Sequence, residues 1–213
     1  GEKGGAKFMV EEGVMNNPKV DAIFGLHAWP GKVGTVEYRS GPTMAAAERM
    51  RITVTGSQTH GAVPWKGVDP IAISSQIITA LQTIVAREVN ITQVPAVVTI
   101  GSIHGGVRNN IIPEEVVMEG TIRTFNDEVR KDIHYSIRKK AEMIASASGA
   151  TAKVEIFSDI AKVTFNEPSL TDKMVPSLER VYGKENVKIT PFITGAEDFP
   201  FFTDHAPVLY FFN

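Results

Sequence analysis

Five histidines are the side chains in this sequence best suited to acid–base chemistry or metal binding. No two of them have the i, i+4 spacing of a helical zinc site. His27 lies inside a short apolar run, residues 22–28, where it is either a core histidine or a metal ligand at the carboxyl end of a strand. His60 lies in a polar loop, where it is either a surface side chain or an imidazole presented to a substrate. We interpret the other three as structural or surface residues: His104, His134 and His205.

Three further segments carry polar side chains that could bind a substrate. Asn110 lies in a loop and Arg123 in a predicted strand, and each alone has an ordinary interpretation as a turn residue or a surface charge. Together they could hold a carboxylate, because an arginine offers two parallel donors. Glu197 and Asp198 either cap a helix or contribute a carboxylate to a site. The sequence contains no Gly-x-Ser-x-Gly nucleophile motif and no Walker motif, which argues against a serine hydrolase and a nucleotide site.

The composition is that of an ordinary globular protein. Its 213 residues are 43% hydrophobic and 22% charged, the formal net charge is -2, and cysteine is absent. A basic footprint is missing, so we expect no nucleic-acid partner. No run of about 18 apolar residues occurs, so we expect no membrane partner. Without cysteine, this chain can supply neither a thiol nucleophile nor a thiolate metal ligand.

Hydrophobic periodicity over residues 46–158 predicts the order strand, helix, strand, strand, helix, strand. Asp69 followed by Pro70 predicts the start of the first helix, and Asn126 predicts the start of the second. A split β-α-β unit of this order is the ferredoxin-like arrangement, an antiparallel sheet with both helices on one face.

The ends of the chain indicate α/β material into which this module is inserted. The predicted fold class is therefore α/β catalytic-domain segments, residues 1–43 and 160–213, with an inserted α+β ferredoxin-like domain, residues 44–159. Ser40–Gly41–Pro42 predicts a turn at the first boundary. The chain begins without methionine and stops directly after an apolar run, which we interpret as a segment of a longer protein.

Six short segments occur in the order, and with the spacing, that is typical of the M20 metallopeptidases. The chain most closely resembles their amidohydrolase branch, which includes aminoacylases, hippurate hydrolases and auxin-conjugate hydrolases. The resemblance covers nearly the whole chain. The segments are Gly-Gly-Ala-Lys-Phe-Met at 4–9, Gly-Leu-His at 25–27, Thr-His-Gly-Ala-Val-Pro at 59–64, Gly105-Gly106 with Asn-Ile-Ile-Pro at 110–113, Gly-Thr-Ile-Arg-Thr at 120–124 and Gly-Ala-Glu-Asp-Phe at 195–199.

This resemblance implies a two-domain enzyme that hydrolyses the amide bond of N-acyl amino acids or related small, dipeptide-like amides. A zinc-peptidase-like α/β domain would bind two divalent metal ions, zinc first, with manganese, cobalt or nickel as alternatives. The inserted domain would be a lid through which two copies form a homodimer.

The family pattern also implies roles for individual residues. His27 corresponds to a metal ligand, and His60 to the lid histidine that stabilises the oxyanion in the active site of the partner subunit. Asn110 and Arg123 correspond to lid positions that bind the substrate carboxylate or the developing charge. Glu197 corresponds to an acidic loop near the site.

Other parts of the family pattern have no counterpart in this sequence. The Glu-Glu pair that supplies the general base and a metal ligand belongs just before the segment that here is Gly1 to Gly5. The remaining ligands belong further upstream or after Asn213. Because a catalytic zinc site needs about three protein ligands, we predict that this chain alone is inactive and that the activity belongs to the full-length protein.

Two alternative functions remain open. One is a dipeptidase or carboxypeptidase of the same superfamily. The segment Gly25-Leu26-His27 favours the amidohydrolase branch, because other branches usually carry an acidic residue at the ligand position that His27 occupies. A non-catalytic dimerisation or ligand-binding module is the other. An RNA-binding module is disfavoured, because the central predicted strands carry only one aromatic residue, Phe125.

Overall fold

A computed structural model of the protein describes residues 5–213, without the side chains of residues 159 and 160. A π-helical turn, Ile84–Glu88, directly follows the helix that ends at Thr83. None of the helices in the described part is long and apolar enough to cross a membrane. The helices and strands along the chain are α1 (Gly5–Glu11), β1 (Ile23–His27), β2 (Val36–Tyr38), β3 (Gly41–Met44), β4 (Ala46–Thr55), β5 (Thr59–His60), α2 (Pro70–Thr83), β6 (Ala96–Gly105), β7 (Ile111–Ile112), β8 (Glu115–Thr124), α3 (Asp127–Ala147), β9 (Thr151–Ala161), β10 (Thr164–Asn166), α4 (Pro168–Tyr182), β11 (Val187–Ile189) and β12 (Val208–Phe212).

The chain forms two compact units. Unit 1 consists of the residues up to Ala47 together with Ile160–Asn213, and unit 2 is the intervening segment Glu48–Asp159. The chain enters unit 2 within β4 and leaves it within β9, and these two strands are neighbours in one sheet.

Unit 2 is a four-stranded sheet covered on one face by two helices. The strand order is β6-β8-β4-β9, and β6 pairs antiparallel with β8. Met50, Ile52 and Val54 of β4 are buried and alternate with more exposed residues. They share one hydrophobic cluster with the buried residues of both α2 and α3, so both helices lie on the same face. The predicted order of the elements is confirmed, apart from the added two-residue strands β5 and β7.

Side-chain caps begin both helices of unit 2 where the sequence predicts them. Asp69 accepts hydrogen bonds from the backbone N–H groups of Ile71 and Ala72, and Pro70 occupies the first turn. Asn126 caps α3 in the same way. Because the first N–H groups of a helix have no intrahelical partner, such caps fix its starting residue and contribute about 1 kcal/mol each.

The sheet of unit 2 has two different edges. β6 forms one edge and β9 the other. The pairing of β6 with β8 shifts register at a bulge between Ile100 and Ser102. A bulge adds one unpaired residue and bends the strand, so β6 is divided into two straight stretches.

Unit 1 contains a second four-stranded sheet, with the order β1-β12-β2-β11. β1 and β12 run parallel and pair along their whole length, from Ile23 opposite Val208 to His27 opposite Phe212. Tyr210 and Phe212 of β12 are buried in the hydrophobic core of this unit. Because β12 is apolar and central, it holds β1 and its terminal histidine in place.

The predicted turn at Ser40–Gly41–Pro42 is wrong. Gly41–Met44 is strand β3, which pairs antiparallel with β10 in a two-stranded ribbon. A proline fits here because a strand at an edge does not need every backbone N–H. Ser40 is a bend, and Gly41, the first residue of β3, has a φ of +77°, so the backbone changes direction where the strand begins.

Glu48, the first residue of unit 2, is a buried carboxylate that binds α3. Its Oε2 lies 2.6 Å from Nε2 of His134, and its Oε1 lies 3.5 Å from Nη1 of Arg130. Burial raises the pKa of Glu48, but the hydrogen bond from His134 and the positive charges of His134 and Arg130 outweigh it, and the pKa falls below the ordinary 4.5. The interpretation of His134 as structural is confirmed.

We expect Glu48 to make unfolding dependent on acid pH. The folded state binds this proton more weakly than the unfolded state, so the contribution is complete above 4.5 and is lost as the pH falls through the lower folded-state pKa. Glu48→Ala should cost about 1–3 kcal/mol, because it removes the acceptor of His134 and one of the two carboxylates that pair with Arg130. Urea unfolding between about pH 3 and pH 7 measures this. Glu48→Gln should flatten the profile, whereas the exposed control Glu128→Gln should not, and an unchanged profile in Glu48→Gln would contradict the assignment.

Candidate functional site

His27 stands at the end of β1 with one ring nitrogen already engaged. Its Nδ1 lies 2.7 Å from the carbonyl oxygen of Ala28. Because a carbonyl oxygen can only accept, the neutral ring carries its hydrogen on Nδ1 and keeps a lone pair on Nε2. Metal-binding histidines are commonly held in this way, with the second ring nitrogen donating to an oxygen. In this tautomer Nε2 of His27 is left with a lone pair that could bind a metal ion.

Aromatic rings surround the imidazole of His27. Its ring centroid lies 5.6 Å from that of Trp29, 6.3 Å from that of Tyr210 and 6.4 Å from that of Phe212. The first two contacts are edge-to-face, the geometry that the charge distribution of aromatic rings favours. These rings restrict the orientation of the imidazole and shield part of it from water.

Gly25 makes room for the ring of Tyr210, a contact that sequence reasoning missed. The two residues are paired between β1 and β12. A Cβ at position 25 would lie 2.4 Å from Cδ2 of Tyr210, so only glycine fits. Residues two apart share a face of a strand, so the Tyr210 ring lies on the face to which His27 also belongs. A glycine inside an apolar strand is the signal that could have indicated this close approach.

Glu197 and Asp198 have different roles. Oδ2 of Asp198 accepts a hydrogen bond of 2.9 Å from the backbone N–H of Ala6 in the first turn of α1. Asp198 also precedes a short 3-10 turn, Phe199–Phe202, but its side chain does not cap that turn. Glu197 faces the hydroxyl of Tyr210. Burial, followed by the charge and hydrogen bond of Glu197, raises the pKa of this hydroxyl above its ordinary 10.0. Tyr210 therefore stays protonated at neutral pH and connects Glu197 to the rings around His27.

His60 and Asn110 lie side by side in unit 2. His60 of β5 pairs with Ile111 of β7, and the backbone N–H of Gly61 donates to the carbonyl oxygen of Asn110 at 2.8 Å. Nδ1 of His60 accepts a hydrogen bond of 3.0 Å from the backbone N–H of Ala62. The neutral imidazole consequently carries its hydrogen on Nε2, which makes the exposed side of the ring a donor.

Arg123 lies at the other end of β8 from Asn110. Asn110 precedes the start of β8, whereas Arg123 is its penultimate residue and pairs with Val97. β8 has ten residues, and with a rise of about 3.3 Å per residue its ends are roughly 30 Å apart. The structure therefore does not bring Asn110 and Arg123 of one chain together on a single carboxylate.

The described residues include a side chain of the type that binds metal ions, but too few such side chains lie together to form a complete metal site. His27 offers Nε2, which keeps its lone pair because Nδ1 carries the hydrogen. Among the described side chains, no three His, Asp or Glu residues gather closely enough to hold a metal ion. A complete site would need further ligands besides those that this chain is seen to provide.

The whole chain, residues 1–213, matches the model of peptidase family M20/M25/M40. Thermostable carboxypeptidase 2 of Saccharolobus solfataricus is 39% identical over 215 residues, which cover 100% of this chain and 53% of that protein. N-acetyl-L-cysteine deacetylase of Bacillus subtilis is 38% identical over 207 residues, which cover 95% of this chain and 48% of that protein. The chain thus spans about half the length of the curated relatives that it matches.

Solved structures have the same fold. A putative aminohydrolase from methicillin-resistant Staphylococcus aureus superposes with a TM-score of 0.89 at 28% identity, over 99% of this chain and 54% of that one. A Bacillus subtilis protein described as a dinuclear metal-binding peptidase from the M20 family superposes with a TM-score of 0.78 at 31% identity, over 97% of this chain and 51% of that one.

Proposed function

The chain belongs to peptidase family M20/M25/M40, and on this premise we propose that a protein of its relatives' full length hydrolyses the amide bond of N-acyl amino acids or related small amides. The observation that carries the proposal is His27, whose Nε2 is left as a lone-pair donor at the end of a strand. The name of the Bacillus subtilis relative, N-acetyl-L-cysteine deacetylase, supports an N-acyl amino acid as the substrate class.

We propose two divalent metal ions as cofactors, zinc first, with manganese, cobalt or nickel as alternatives. When bound, such ions polarise a carbonyl oxygen and supply a water with a pKa near 7. From this chain, His27 would be a ligand through Nε2, held by the carbonyl oxygen of Ala28 and by the surrounding rings. Glu197 would face the substrate side of the metal ions, held by the hydroxyl of Tyr210.

The lid residues are proposed to stabilise charge that develops on the substrate. Nε2–H of His60 would donate to the oxyanion formed when water attacks the amide carbon, because its Nδ1 is already occupied. Asn110 would act in the same place, since it lies beside His60. Arg123 would bind the substrate carboxylate with its two parallel donors. The distance along β8 supports a dimer in which one chain contributes His60 and Asn110 to one active site and Arg123 to the other.

We propose unit 2 as the lid through which two copies form this homodimer. Its element order and its strand order, β6-β8-β4-β9, support a ferredoxin-like domain. The long edge strand β6 offers unpaired backbone groups, and an edge of this kind can pair with its own copy about a twofold axis. Ile103 on β6 and Ile71 on α2 are exposed apolar side chains that such pairing would cover. Sedimentation as a monomer at micromolar concentration would contradict the dimer.

A carboxypeptidase or dipeptidase is the second candidate. The name of the Saccharolobus solfataricus relative, a carboxypeptidase, supports it. Both activities break an amide next to a carboxylate, so they differ in the acyl side of the substrate. Parallel assays with N-acyl amino acids and dipeptides distinguish them.

Removal of metal is expected to abolish activity. The full-length protein should bind about two divalent ions and cleave N-acyl amino acids, and dialysis against a chelator should remove both properties until metal is restored. His27→Ala should lower the metal content, whereas the exposed control His205→Ala should not. Elemental analysis and release of the free amino acid measure these outcomes, and we expect the 213-residue chain alone to be inactive. A metal-free full-length protein without hydrolase activity would favour the ligand-binding module instead.

A further inference from the structure

Asn166, the last residue of β10, is a polar side chain that lies completely buried in unit 1. Its carboxamide exchanges two hydrogen bonds with one residue of β12. Oδ1 accepts a bond of 2.6 Å from the backbone N–H of Tyr210, and Nδ2 donates a bond of 2.8 Å to the carbonyl oxygen of the same residue. Two residues opposite each other in antiparallel strands exchange such a pair of bonds, so Asn166 takes the place of a strand beside Tyr210.

The backbone of Tyr210 depends on this side chain, because β12 has a strand neighbour there on one side only. On that side Tyr210 lies opposite Gly25 of β1. On the other side, β12 pairs with β2 at Phe212, which lies opposite Glu37. Tyr210 is buried, and a buried backbone group without a hydrogen-bond partner is costly. An apolar side chain of the same size could therefore not replace Asn166.

The same carboxamide also binds the backbone between β2 and β3. Nδ2 of Asn166 donates a second bond of 2.8 Å to the carbonyl oxygen of Arg39, and it lies 3.2 Å from Oγ1 of Thr43. Both hydrogens of Nδ2 are thus used by carbonyl oxygens, while Oδ1 is used by an N–H group. A carboxylate of the same shape has no hydrogen to donate, so an amide is the group that this position requires.

The ring of Tyr210 extends this constraint to the candidate site. Its centroid lies 6.3 Å from that of His27 in an edge-to-face contact. It also lies 4.8 Å from the ring of Phe199 and 5.5 Å from that of Phe212, and Gly25 leaves it no space for a Cβ. With close neighbours on these sides, the position of the ring is set by the backbone of Tyr210, which Asn166 holds.

We propose that Asn166 is a positioning residue for His27 and acts through the backbone and ring of Tyr210. Without the two bonds to the carboxamide, β12 loses its support at Tyr210, and the imidazole of His27 loses one of the rings that fix its orientation. Nδ1 of His27 then binds the carbonyl oxygen of Ala28 less completely, and the lone pair on Nε2 no longer points in one direction. Asn166 matters for catalysis only if His27 is a metal ligand, and to that extent this inference rests on the proposed function.

The tautomer of His27 in the metal-free full-length protein tests the positioning without catalysis. At about pH 8.5, where imidazoles are ordinarily neutral, the ¹⁵N chemical shifts of the two ring nitrogens report the tautomer, and His27→Ala identifies the signals. In Asn166→Ala and in Tyr210→Leu, the ratio of the Nδ1–H to the Nε2–H tautomer should fall about tenfold, which corresponds to the loss of one hydrogen bond. The control Thr171→Val removes another buried hydrogen bond of unit 1, from the Thr171 hydroxyl to the carbonyl oxygen of Glu167, and should leave the ratio unchanged.

Three results would overturn the positioning role: a wild-type tautomer ratio in folded Asn166→Ala, a wild-type ratio in Tyr210→Leu, or an equal fall in Thr171→Val. The double variant should show no lower ratio than Tyr210→Leu alone, because both substitutions act through one ring. If Asn166→Ala does not fold, Asn166→Ser gives the same comparison, since its hydroxyl can satisfy one of the groups that the amide binds.

A zinc titration separates this inference from the proposed function. Full-length Asn166→Ala should bind zinc about tenfold more weakly than the wild type, as when a group that supports a metal ligand is removed. Thr171→Val should bind zinc like the wild type. If no form of the protein binds zinc while the tautomer ratio falls as expected, the proposed function fails and the positioning of His27 by Asn166 stands.

Discussion

The His60→Ala variant of the full-length protein is expected to lose about 100- to 1,000-fold in kcat while it keeps its full metal content. The reason is local. Nδ1 of His60 is engaged by the backbone N–H of Ala62, so Nε2–H is the donor that the ring presents, and alanine removes it. Steady-state kinetics and elemental analysis on the same sample measure both quantities. His205→Ala, which removes an exposed imidazole from unit 1, is the matched control and should retain wild-type kcat.

A mixing experiment tests whether His60 acts in the partner subunit. His27→Ala is expected to be inactive and His60→Ala to retain only the low activity stated above, because every active site in either homodimer lacks one group. In a mixed dimer, one site combines the intact His27 of one chain with the intact His60 of the other. Activity should therefore return when the two variants exchange subunits. No recovery after proven exchange would mean that His60 acts within its own chain or has no catalytic role.

Gly120→Ala is expected to destabilise unit 2 by about 3 kcal/mol or more. Gly120 lies on β8 opposite Ile100. A Cβ at this position would lie 2.1 Å from the backbone carbonyl oxygen of Thr99 and 2.7 Å from Cε of Met50. The methionine can move, but the carbonyl oxygen belongs to the strand ladder, so the strands must separate or shift. Chemical unfolding followed by circular dichroism measures the loss.

Gly101→Ala is the control for this substitution. Gly101 lies at the bulge of β6, and a Cβ there would come no closer than 3.9 Å to its nearest neighbour, the carbonyl oxygen of Glu119. We expect a change within about 0.5 kcal/mol, as for an ordinary exposed position. Equal stabilities of the two variants would show that the strands at Gly120 adapt and that the close approach carries no energetic cost.

Periodicity and capping were sufficient to predict most of unit 2. Its helices begin at Asp69 and Asn126 because a short polar side chain there satisfies N–H groups that nothing else can reach. Its strands are visible because one face is buried and the other is not. Strands β5 and β7 have two residues each, too short for any period, although they position His60.

The geometry of the candidate site was harder to predict from the sequence than the fold of unit 2. The tautomers of His27 and His60 depend on neighbouring backbone groups, and no pattern of residue types encodes those contacts. Asn110 and Arg123 are close in the chain, yet a ten-residue strand separates them in space. The pairing of Glu48 with His134 joins residues from distant positions, and neither has a local signature.

The two edges of the unit 2 sheet differ in charge, and this difference affects whether copies of the chain can form polymers. Edge β6 carries no Lys, Arg, Asp or Glu, whereas edge β9 carries Lys153 and Glu155 on its outer positions. Charged side chains, lysine above all, discourage a strand from adding a further strand. If two copies join through β6, only β9 edges remain at the ends of the combined sheet. Assembly should then stop at two copies, and mutations that neutralise β9 should turn a closed dimer into a protein that aggregates.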